Sequence, residues 1–504
     1  MKIFSVSLSF HDHNTYDGKL HNQRERYTRY KHNVPGLVHP QSTDERMYQI
    51  DVSAHLDFYN DHYKPQLHEL FAFTATMGGL MRLPEGSIDQ EFVNFKPNHL
   101  WDYLQKDNIY YIDHHQSHAA YAFLSSGFSE SDILAMDGRG LNFNCIFVDK
   151  NGKITDLSDK MGIGLVWNYL SKFLRLGHVG AIGAGKLMGL AAYGKYQSHI
   201  HHSIDQYVKH NLKFNGLFSS FSKDVLNGYS PEDIAYTLQY ATQELIHKHV
   251  MPLKSCDNIC IAGGVAYNGY INEEFTKHYT RVHVPPAPGD EGQSLGTYMH
   301  ADFLLNDNVH IPNVYAGQSY DYKGDEKVDI VEVAQAIADG KIVGWYQGNS
   351  ESGNRALGNR CILADPRNPD IKDIINSTIK FREDFRPFAP TVLEEHYQEY
   401  FDTNQSSPYM SRIVSVKSDK IPGVTHIDNT ARIQTLNRSQ NEKFYDLINA
   451  FYNITGIPML LNTSFNCQEP MVETPEQAIR TFNKTNLHLL VIDDYILRKK
   501  GQTI

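Results

Sequence analysis

The sequence predicts an α/β fold built in two parts. Short apolar runs of strand length recur through the first part of the chain, with helix-like stretches between them. A polar stretch from Phe303 to Asp329 interrupts this pattern, and a second alternation of helix-like and strand-like segments follows it. Alternation of this kind is typical of α/β proteins. We therefore expect one domain on each side of the polar stretch.

Each element of the prediction comes from a particular segment. The strand-like runs of the first part are KIFSVSLSF, NIYYID, DILAMDG, NCIFVD, DNICIAGG and RVHVPP. Helix-like stretches run from Asp44 to Leu70 and from Pro231 to His249. After the polar stretch, VEVAQAIADG predicts a helix and KIVGWYQG a strand, which opens the second part.

Composition narrows the class of protein. The chain has 504 residues, a formal net charge of −11 and a pI near 6.2, which argues against a nucleic-acid polymer as partner. Its longest apolar runs fall short of the roughly 18 residues needed to span a membrane, and we expect the N-terminal run to be a strand rather than a signal peptide. Five scattered cysteines favour a reducing, cytoplasmic location. The spacing of Cys256 and Cys260 is compatible with a metal pair or with two small apolar residues entering a strand.

Four short motifs of the first part contain side chains suited to catalysis or metal binding. In HHQSHAAYAF, His114 and His118 would share one face of a helix, as metal ligands or as a polar surface. A strand ending in Asp137-Gly138 would carry a carboxylate into a cleft or close a tight turn. Gly263-Gly264 would let the backbone approach a nucleotide, with a helix starting near Asn268. Asp290 would cap a helix or complete a metal site.

The second part holds a dense cluster of cationic residues. The segment GNSESGNRALGNRCILADPRNPDIKDIINSTIKFREDFRPFAP favours Arg over Lys and interleaves aromatic residues. THIDNTARIQ and LLNTSFN follow it, with His426, Arg432, Asn462 and Ser464. Rigid guanidinium groups on an apolar bed suit a small planar oxyanion such as phosphate or carboxylate. Surface ion pairs are the alternative explanation of the same pattern.

Taken together, these segments resemble the O-carbamoyltransferase family of antibiotic biosynthesis and nodulation-factor decoration. HHQSHAAYAF, AMDGRG, KLMGLAAYG, GGVAYN, PGDEGQSLG, the arginine-rich segment, THIDNTAR and LLNTSFN occur in the family's order across nearly the whole chain. The resemblance implies an actin-like ATPase-fold domain over residues 1–320 and a YrdC-like α/β domain over residues 330–504. It also implies an acceptor with a hydroxyl group and leaves a homodimer open.

The resemblance implies a reaction in two stages. Carbamoyl phosphate and ATP would form carbamoyladenylate in the second domain, and the first would pass the carbamoyl group to a small-molecule, sugar or nucleotide acceptor. A divalent ion, Fe²⁺ in preference to Mn²⁺, Zn²⁺ or Mg²⁺, would lie among His114, His118, Asp137 and Asp290. The nucleotide would contact Asp137, Gly138, Lys186, Gly263, Gly264 and Asn268. Carbamoyl phosphate would contact Arg355, Lys380, Arg386, Arg432, Asn462 and Ser464. The catalytic residues would be His11, Arg355, Lys380 and Arg386.

Two other functions remain open on the sequence. A small-molecule kinase of the actin-like fold would explain the glycine turns but would leave the arginine cluster unused. A non-catalytic nucleotide-binding regulator would tolerate the loss of a ligand, but each charged residue of the motifs is present. The first hairpin, SFHDHNTYDGKLHNQRERYTRYKH, is shorter than the family's form. In the family this hairpin borders the acceptor pocket, so the resemblance does not define the acceptor pocket of this chain.

Overall fold

A computed structural model describes most of the chain. Its described residues are 3–8, 14–23, 26, 70–75, 109–137, 145–148, 154–156, 163–177, 180–211, 226 and 228–499. His11 and Gly138 lie outside these residues, as does most of the helix predicted from Asp44 to Leu70. At Leu70 that prediction is wrong, because Leu70 begins a strand.

Two five-stranded sheets with the same topology form the first part. In the first sheet the order is β3-β2-β1-β4-β5, and its strands are Ile3–Leu8, Asn14–Tyr16, His21–Gln23, Leu70–Ala75 and Ile109–Tyr111 (β1 to β5). In the second the order is β10-β9-β6-β7-β8, and its strands are Asp132–Met136, Cys145–Val148, Ile154–Asp156, Asn258–Ala262 and Arg281–His283 (β6 to β10). Each sheet has three antiparallel strands followed by two parallel ones on the other side of the first strand. This doubled arrangement is the actin-like ATPase fold, as predicted.

Helices connect and cover these sheets. The helix His114–Ser126 starts where the Asp113 side chain accepts hydrogen bonds from His115 N and Gln116 N, and it ends at Gly127, whose φ is +67°. The predicted helix Pro231–His249 is confirmed, with Ser230 as its cap and proline in its first turn. The other described α-helices of this part are Ile163–Phe173, Gly180–Leu190, Ser198–Asn211, Gly269–Phe275 and Gln293–Asn306.

The polar stretch forms the connection between the two parts. The helix Gln293–Asn306 continues into its beginning, and residues 307–329 carry no helix or strand beyond one bridge from Lys327 to Tyr495. The stretch packs against the second part, since Gly317 N donates to Ser350 O (2.9 Å). This hydrogen bond anchors the polar stretch to the second part.

A nine-stranded mixed sheet forms the second part. Its order is β14-β15-β16-β13-β17-β12-β11-β18-β19. The strands β11 to β19 are Val343–Tyr346, Arg360–Ala364, Ala389–Leu393, Phe401–Asp402, Arg412–Val416, Thr430–Leu436, Met459–Ser464, Leu489–Ile492 and Tyr495–Arg498. The α-helices are Ile330–Ala338, Ile371–Ile375, Tyr397–Tyr400, Glu442–Thr455 and Pro475–Lys484. The YrdC-like assignment of this domain stays a prediction.

The two parts are in direct contact. The helix Gly269–Phe275 packs on β15, where a Cβ atom at Gly269 would lie 2.6 Å from Ile413 Cγ1. Asn272 Nδ2 donates to Ser411 O (2.8 Å), and the ring of His21 contacts Ser352 Oγ (3.0 Å). Among the described residues, no helix has the length and apolarity needed to cross a membrane.

Candidate active site

Two imidazoles and two carboxylates meet in the first part. His114 and His118 lie one helical turn apart in the helix His114–Ser126, Asp137 follows β6, and Asp290 begins a short turn before the helix Gln293–Asn306. His114 Nε2 lies 2.9 Å from Asp137 Oδ2 and 3.4 Å from Asp290 Oδ1. His118 Nε2 lies 3.4 Å from Asp290 Oδ1 and 4.0 Å from Asp137 Oδ2. The structure thus brings together the four side chains predicted as metal ligands.

The four side chains carry strongly coupled charges. All are buried, and burial alone would disfavour a charged imidazole. The carboxylates of Asp290 and Asp137 outweigh this effect and raise the pKa of His114 to about 10. Burial and the neighbouring Asp290 oppose ionisation of Asp137, yet its hydrogen bond to His114 lowers its pKa. The cluster therefore already stabilises one positive charge between two carboxylates.

This donor set fits a divalent transition metal. Two ligands about 2.1 Å from one ion lie about 3.0–3.4 Å apart, close to the distances within the cluster. His118 Nε2 is buried, and within the described part of the chain it has no hydrogen-bond partner. Two imidazoles with two carboxylates suit Fe²⁺, Mn²⁺ or Zn²⁺ better than Ca²⁺ or Mg²⁺. The alternative role of Asp290 as a helix cap is wrong, because Gly292 occupies the cap position.

The predicted glycine turn lies beside this cluster. Gly263 has a φ of +88°, and a Cβ atom there would lie 2.0 Å from Met136 O, so only glycine fits. Gly264 N donates to Asp137 Oδ1 (3.2 Å). Asn268 caps the helix Gly269–Phe275 and donates from Nδ2 to Gln239 Oε1 (2.8 Å). The side chain of Asn268 therefore organises the turn.

A cationic cavity of about 350 Å³ opens between the two parts, since its walls include Lys186 and Tyr270 of the first part as well as residues of the second. Its walls include five arginines and one lysine, namely Arg26, Arg355, Arg382, Arg386, Arg432 and Lys186. Asn462 and Ser464 of β17 contribute polar groups to the same walls. Five of the six residues predicted to bind carbamoyl phosphate thus share one cavity.

The arginines of the cavity repel one another. Burial lowers the pKa of Arg355 and Arg386, and Arg386 lowers that of Arg355 further. The pKa of Arg432 falls well below its usual value through burial, with Arg355 and Arg386 adding to the effect. Among the described residues neither Arg355 nor Arg432 forms an ion pair, and the buried Nε of Arg432 has no hydrogen-bond partner. An anion in this cavity would relieve the repulsion.

Lys380 does not line the cavity. Its side chain is buried and its ammonium donates to Ser464 O and to Asn466 Oδ1 (2.7 Å). Ser464 and Asn466 do face the cavity. The structure therefore places Lys380 one layer behind the wall, where it fixes two wall residues.

Other residues at the cavity come from distant segments. Lys186, predicted at the nucleotide, lies in the cavity wall and pairs with Glu383 (2.5 Å). Arg26, which the motifs did not single out, reaches the wall and lies 3.4 Å from Glu473. Tyr270 also lines it and donates to Asp428 (2.6 Å). These contacts join side chains far apart in sequence, and short motifs carry no signal for them.

Arg355 connects the cavity with the His-Asp cluster. Its guanidinium carbon lies 4.9 Å from the ring centroid of Tyr267. The Tyr267 hydroxyl donates to Glu291, the buried neighbour of Asp290. Two side-chain contacts and one peptide linkage thus connect the two groups of functional side chains.

Cys256 and Cys260 pack as small apolar residues. Burial raises the pKa of both thiols, that of Cys260 to about 12, so they remain neutral. The groups of possible metal ligands among the described residues include no cysteine. The metal-pair alternative is therefore not supported.

Comparisons with known proteins identify the class of this chain. Residues 60–299 match the model of the carbamoyltransferase N-terminus, and residues 334–499 match that of the carbamoyltransferase C-terminus. The chain belongs to the carbamoyltransferase family. The resemblance predicted from the motifs is confirmed at that level.

Two relatives and one solved structure illustrate how far the similarity to known proteins extends. Nodulation protein NolO of Bradyrhizobium diazoefficiens is 33% identical over 451 residues, which cover 78% of this chain and 80% of that protein. The 3'-hydroxymethylcephem-O-carbamoyltransferase of Streptomyces clavuligerus is 31% identical over 304 residues, with 56% and 58% covered. Among solved structures, the activator of 2-hydroxyisocaproyl-CoA dehydratase from Clostridium difficile is 12% identical with a TM-score of 0.36, covering 61% of this chain and 96% of that one. One of these relatives is named as an O-carbamoyltransferase, and membership of the carbamoyltransferase family makes this chain a transferase.

Proposed function

We propose that the protein is an ATP-dependent O-carbamoyltransferase with carbamoyl phosphate as donor. The observation that carries the proposal is the cationic cavity, where Arg355, Arg386 and Arg432 converge. Burial lowers the pKa of each, and neighbouring arginines lower those of Arg355 and Arg432 further. Carbamoyl phosphate is a compact dianion with a planar carbamoyl group. Guanidinium groups bind such oxyanions through paired hydrogen bonds, and the cavity volume of about 350 Å³ accommodates it.

In the first stage the cavity would generate and activate carbamate. Water releases phosphate from carbamoyl phosphate, and an oxygen of the resulting carbamate attacks the α-phosphorus of ATP. Pyrophosphate leaves and carbamoyladenylate forms. Arg355, Arg386 and Arg432 would stabilise the negative charge that develops on the transferred groups. Lys380 would act through Ser464 and Asn466, which it holds in place.

In the second stage the His-Asp cluster would serve carbamoyl transfer. His114, His118, Asp137 and Asp290 would hold a divalent ion, which supplies positive charge beside the nucleotide phosphate. Gly263 and Gly264 would bring backbone close to the nucleotide, with His11 near the acceptor. The acceptor hydroxyl attacks the carbamoyl carbon, the bond to the adenylate oxygen breaks, and AMP leaves while the hydroxyl proton passes to a base.

Product analysis with labelled ATP tests the proposal. With carbamoyl phosphate present, the enzyme should form AMP and pyrophosphate, and extracts of candidate acceptors should gain one carbamoyl group by mass spectrometry. Conversion of ATP to ADP would indicate the kinase alternative. If ATP stays intact with carbamoyl phosphate and a range of hydroxyl acceptors, the regulator alternative is correct.

A further inference from the structure

Three side chains with metal-binding groups meet on the surface of the first part, away from the sites described above. His247 lies in the last turn of the helix Pro231–His249, Glu274 lies in the helix Gly269–Phe275, and His278 follows that helix by one turn. Their potential ligand atoms all lie within 4.8 Å of one another. We propose that this surface triad binds a transition-metal ion of the zinc class, in addition to any ion held by the buried His-Asp cluster.

The geometry of the surface triad suits a tetrahedral ion. His247 Nε2 lies 3.0 Å from Glu274 Oε1, and His278 Nε2 lies 4.0 Å from the same oxygen. Ligands of a tetrahedral Zn²⁺ lie about 3.4 Å apart, so small side-chain rotations bring all three into range. The imidazole side chains are 43% and 37% exposed, which gives them freedom to rotate. Solvent can then supply the fourth ligand.

Neighbouring lysines orient the ligands without occupying the ligand atoms. Lys277 Nζ donates to Glu274 Oε2 (2.7 Å), which leaves Oε1 directed at the imidazoles. Lys254 Nζ donates to His278 O (2.7 Å) and holds the turn that carries the imidazole. Outer contacts of this kind fix ligand orientation in metal sites.

The local field favours a cation at this place. The helices Pro231–His249 and Gly269–Phe275 both end near the surface triad. The C-terminal ends of helices carry partial negative charge, and the carboxylate of Glu274 adds negative charge that its ion pair with Lys277 partly offsets. Two imidazoles and one carboxylate select Zn²⁺, Ni²⁺ or Cu²⁺ over Mg²⁺ and Ca²⁺. A bound ion would join the ends of two helices whose ligands are 27 positions apart in sequence.

Zinc titration of the purified full-length protein tests the proposal. Zinc chloride alone is added to chelator-treated protein in a calorimeter, for the wild type and for the double variant His247→Ala/His278→Ala. The wild type should bind one equivalent of Zn²⁺ more than the double variant. Either single substitution should weaken that equivalent by at least about tenfold. Zinc should also raise the Tm of the wild type more than that of the double variant.

A matched control separates the surface triad from other exposed histidines. His202, on the helix Ser198–Asn211, is exposed and lies outside the triad. His202→Ala should bind zinc as the wild type does, and circular dichroism should show that all variants are folded. The proposal is overturned if the double variant keeps the wild-type number of equivalents and affinities. It is also overturned if His202→Ala loses as much binding, or if Mg²⁺ binds as tightly as Zn²⁺.

Discussion

Replacing Arg432 with methionine should raise the Tm of the ligand-free protein and at the same time lower its activity. Burial and the two neighbouring arginines lower the pKa of Arg432 well below its usual value, so the folded chain holds this charge at a cost. Replacing buried charges with apolar residues of similar volume often stabilises a protein by about 1–4 kcal/mol, and about 1 kcal/mol raises Tm by about 2–4 °C in a domain of roughly this size. Methionine keeps much of the packing volume without the charge. We therefore expect the Tm of Arg432→Met to rise by a few degrees.

The same change should remove binding energy for the donor. A lost charge-assisted contact to a buried anion costs about 2–5 kcal/mol, or roughly 30-fold to several-thousand-fold in kcat/KM for carbamoyl phosphate. Differential scanning calorimetry measures the first effect. Pyrophosphate release at varied carbamoyl phosphate concentration measures the second.

Arg412→Met provides the matched control. Arg412 is also a buried arginine with a lowered pKa, but it lies 3.4 Å from Glu273 and donates to Gln405 O and Ser406 O. Its removal leaves a partly buried carboxylate unpaired, which typically destabilises by about 3–5 kcal/mol. The control should therefore lose Tm and keep its KM for carbamoyl phosphate. If Arg432→Met lost as much Tm as the control and retained activity, the repulsion argument would be refuted.

Three further substitutions test separate parts of the site. Arg386→Ala should slow the overall reaction by about the same factor as Arg432→Met, and it should form product again when carbamoyladenylate is supplied. If the wild type uses supplied carbamoyladenylate well and Arg386→Ala does not, the division into two sites is refuted. His118→Ala should lose most bound metal and at least about 100-fold in transfer, and elemental analysis giving equal metal in both proteins would contradict the ligand assignment. Glu351→Gln should lower Tm and raise the KM for carbamoyl phosphate, because Glu351 Oε1 accepts from the backbone N atoms of Leu357 (2.8 Å), Asn359 (2.8 Å) and Arg360 (3.1 Å) and so orders the loop that carries Arg355. An unchanged KM in that variant would show that the loop keeps its shape without the charge.

Local patterns predicted the elements and much of the His-Asp cluster. The bounds of the helix Pro231–His249 follow from a serine cap, an N-terminal proline and histidines in the last turn, which are all local signals. His114 and His118 were recognisable from helical spacing, and Asp290 was one of the candidates to complete a metal site. Asp137 was assigned to that site only through the family resemblance. The structure brings all four together because β6 and the Asp290 turn end beside one helix.

Long-range packing decided what the sequence could not show. Lys380 lies in the same charged segment as Arg386, yet its side chain turns behind the wall to reach Ser464, 84 positions away. Arg360, in that segment too, is fully buried and donates to Gln347 O (2.8 Å), so it supports backbone instead of facing the cavity. A run of like charges in the sequence does not reveal which of its side chains face a ligand. The direction of each side chain depends on its packing against strands that come much later in the sequence.

Contacts between residues far apart in sequence also determine when parts of the protein can fold during synthesis. Ser5 donates to Ser294 O, 289 positions away, and Arg26 meets Glu473, 447 positions away. At translation rates of about 5–20 residues per second, Arg26 waits about 20–90 s for its partner to be synthesised. The first strands therefore leave the ribosome long before their neighbours exist, and the cationic cavity closes only after the segment that carries Glu473 has been made. A chain whose synthesis stopped before that segment would have a largely formed first part and an incomplete cationic cavity.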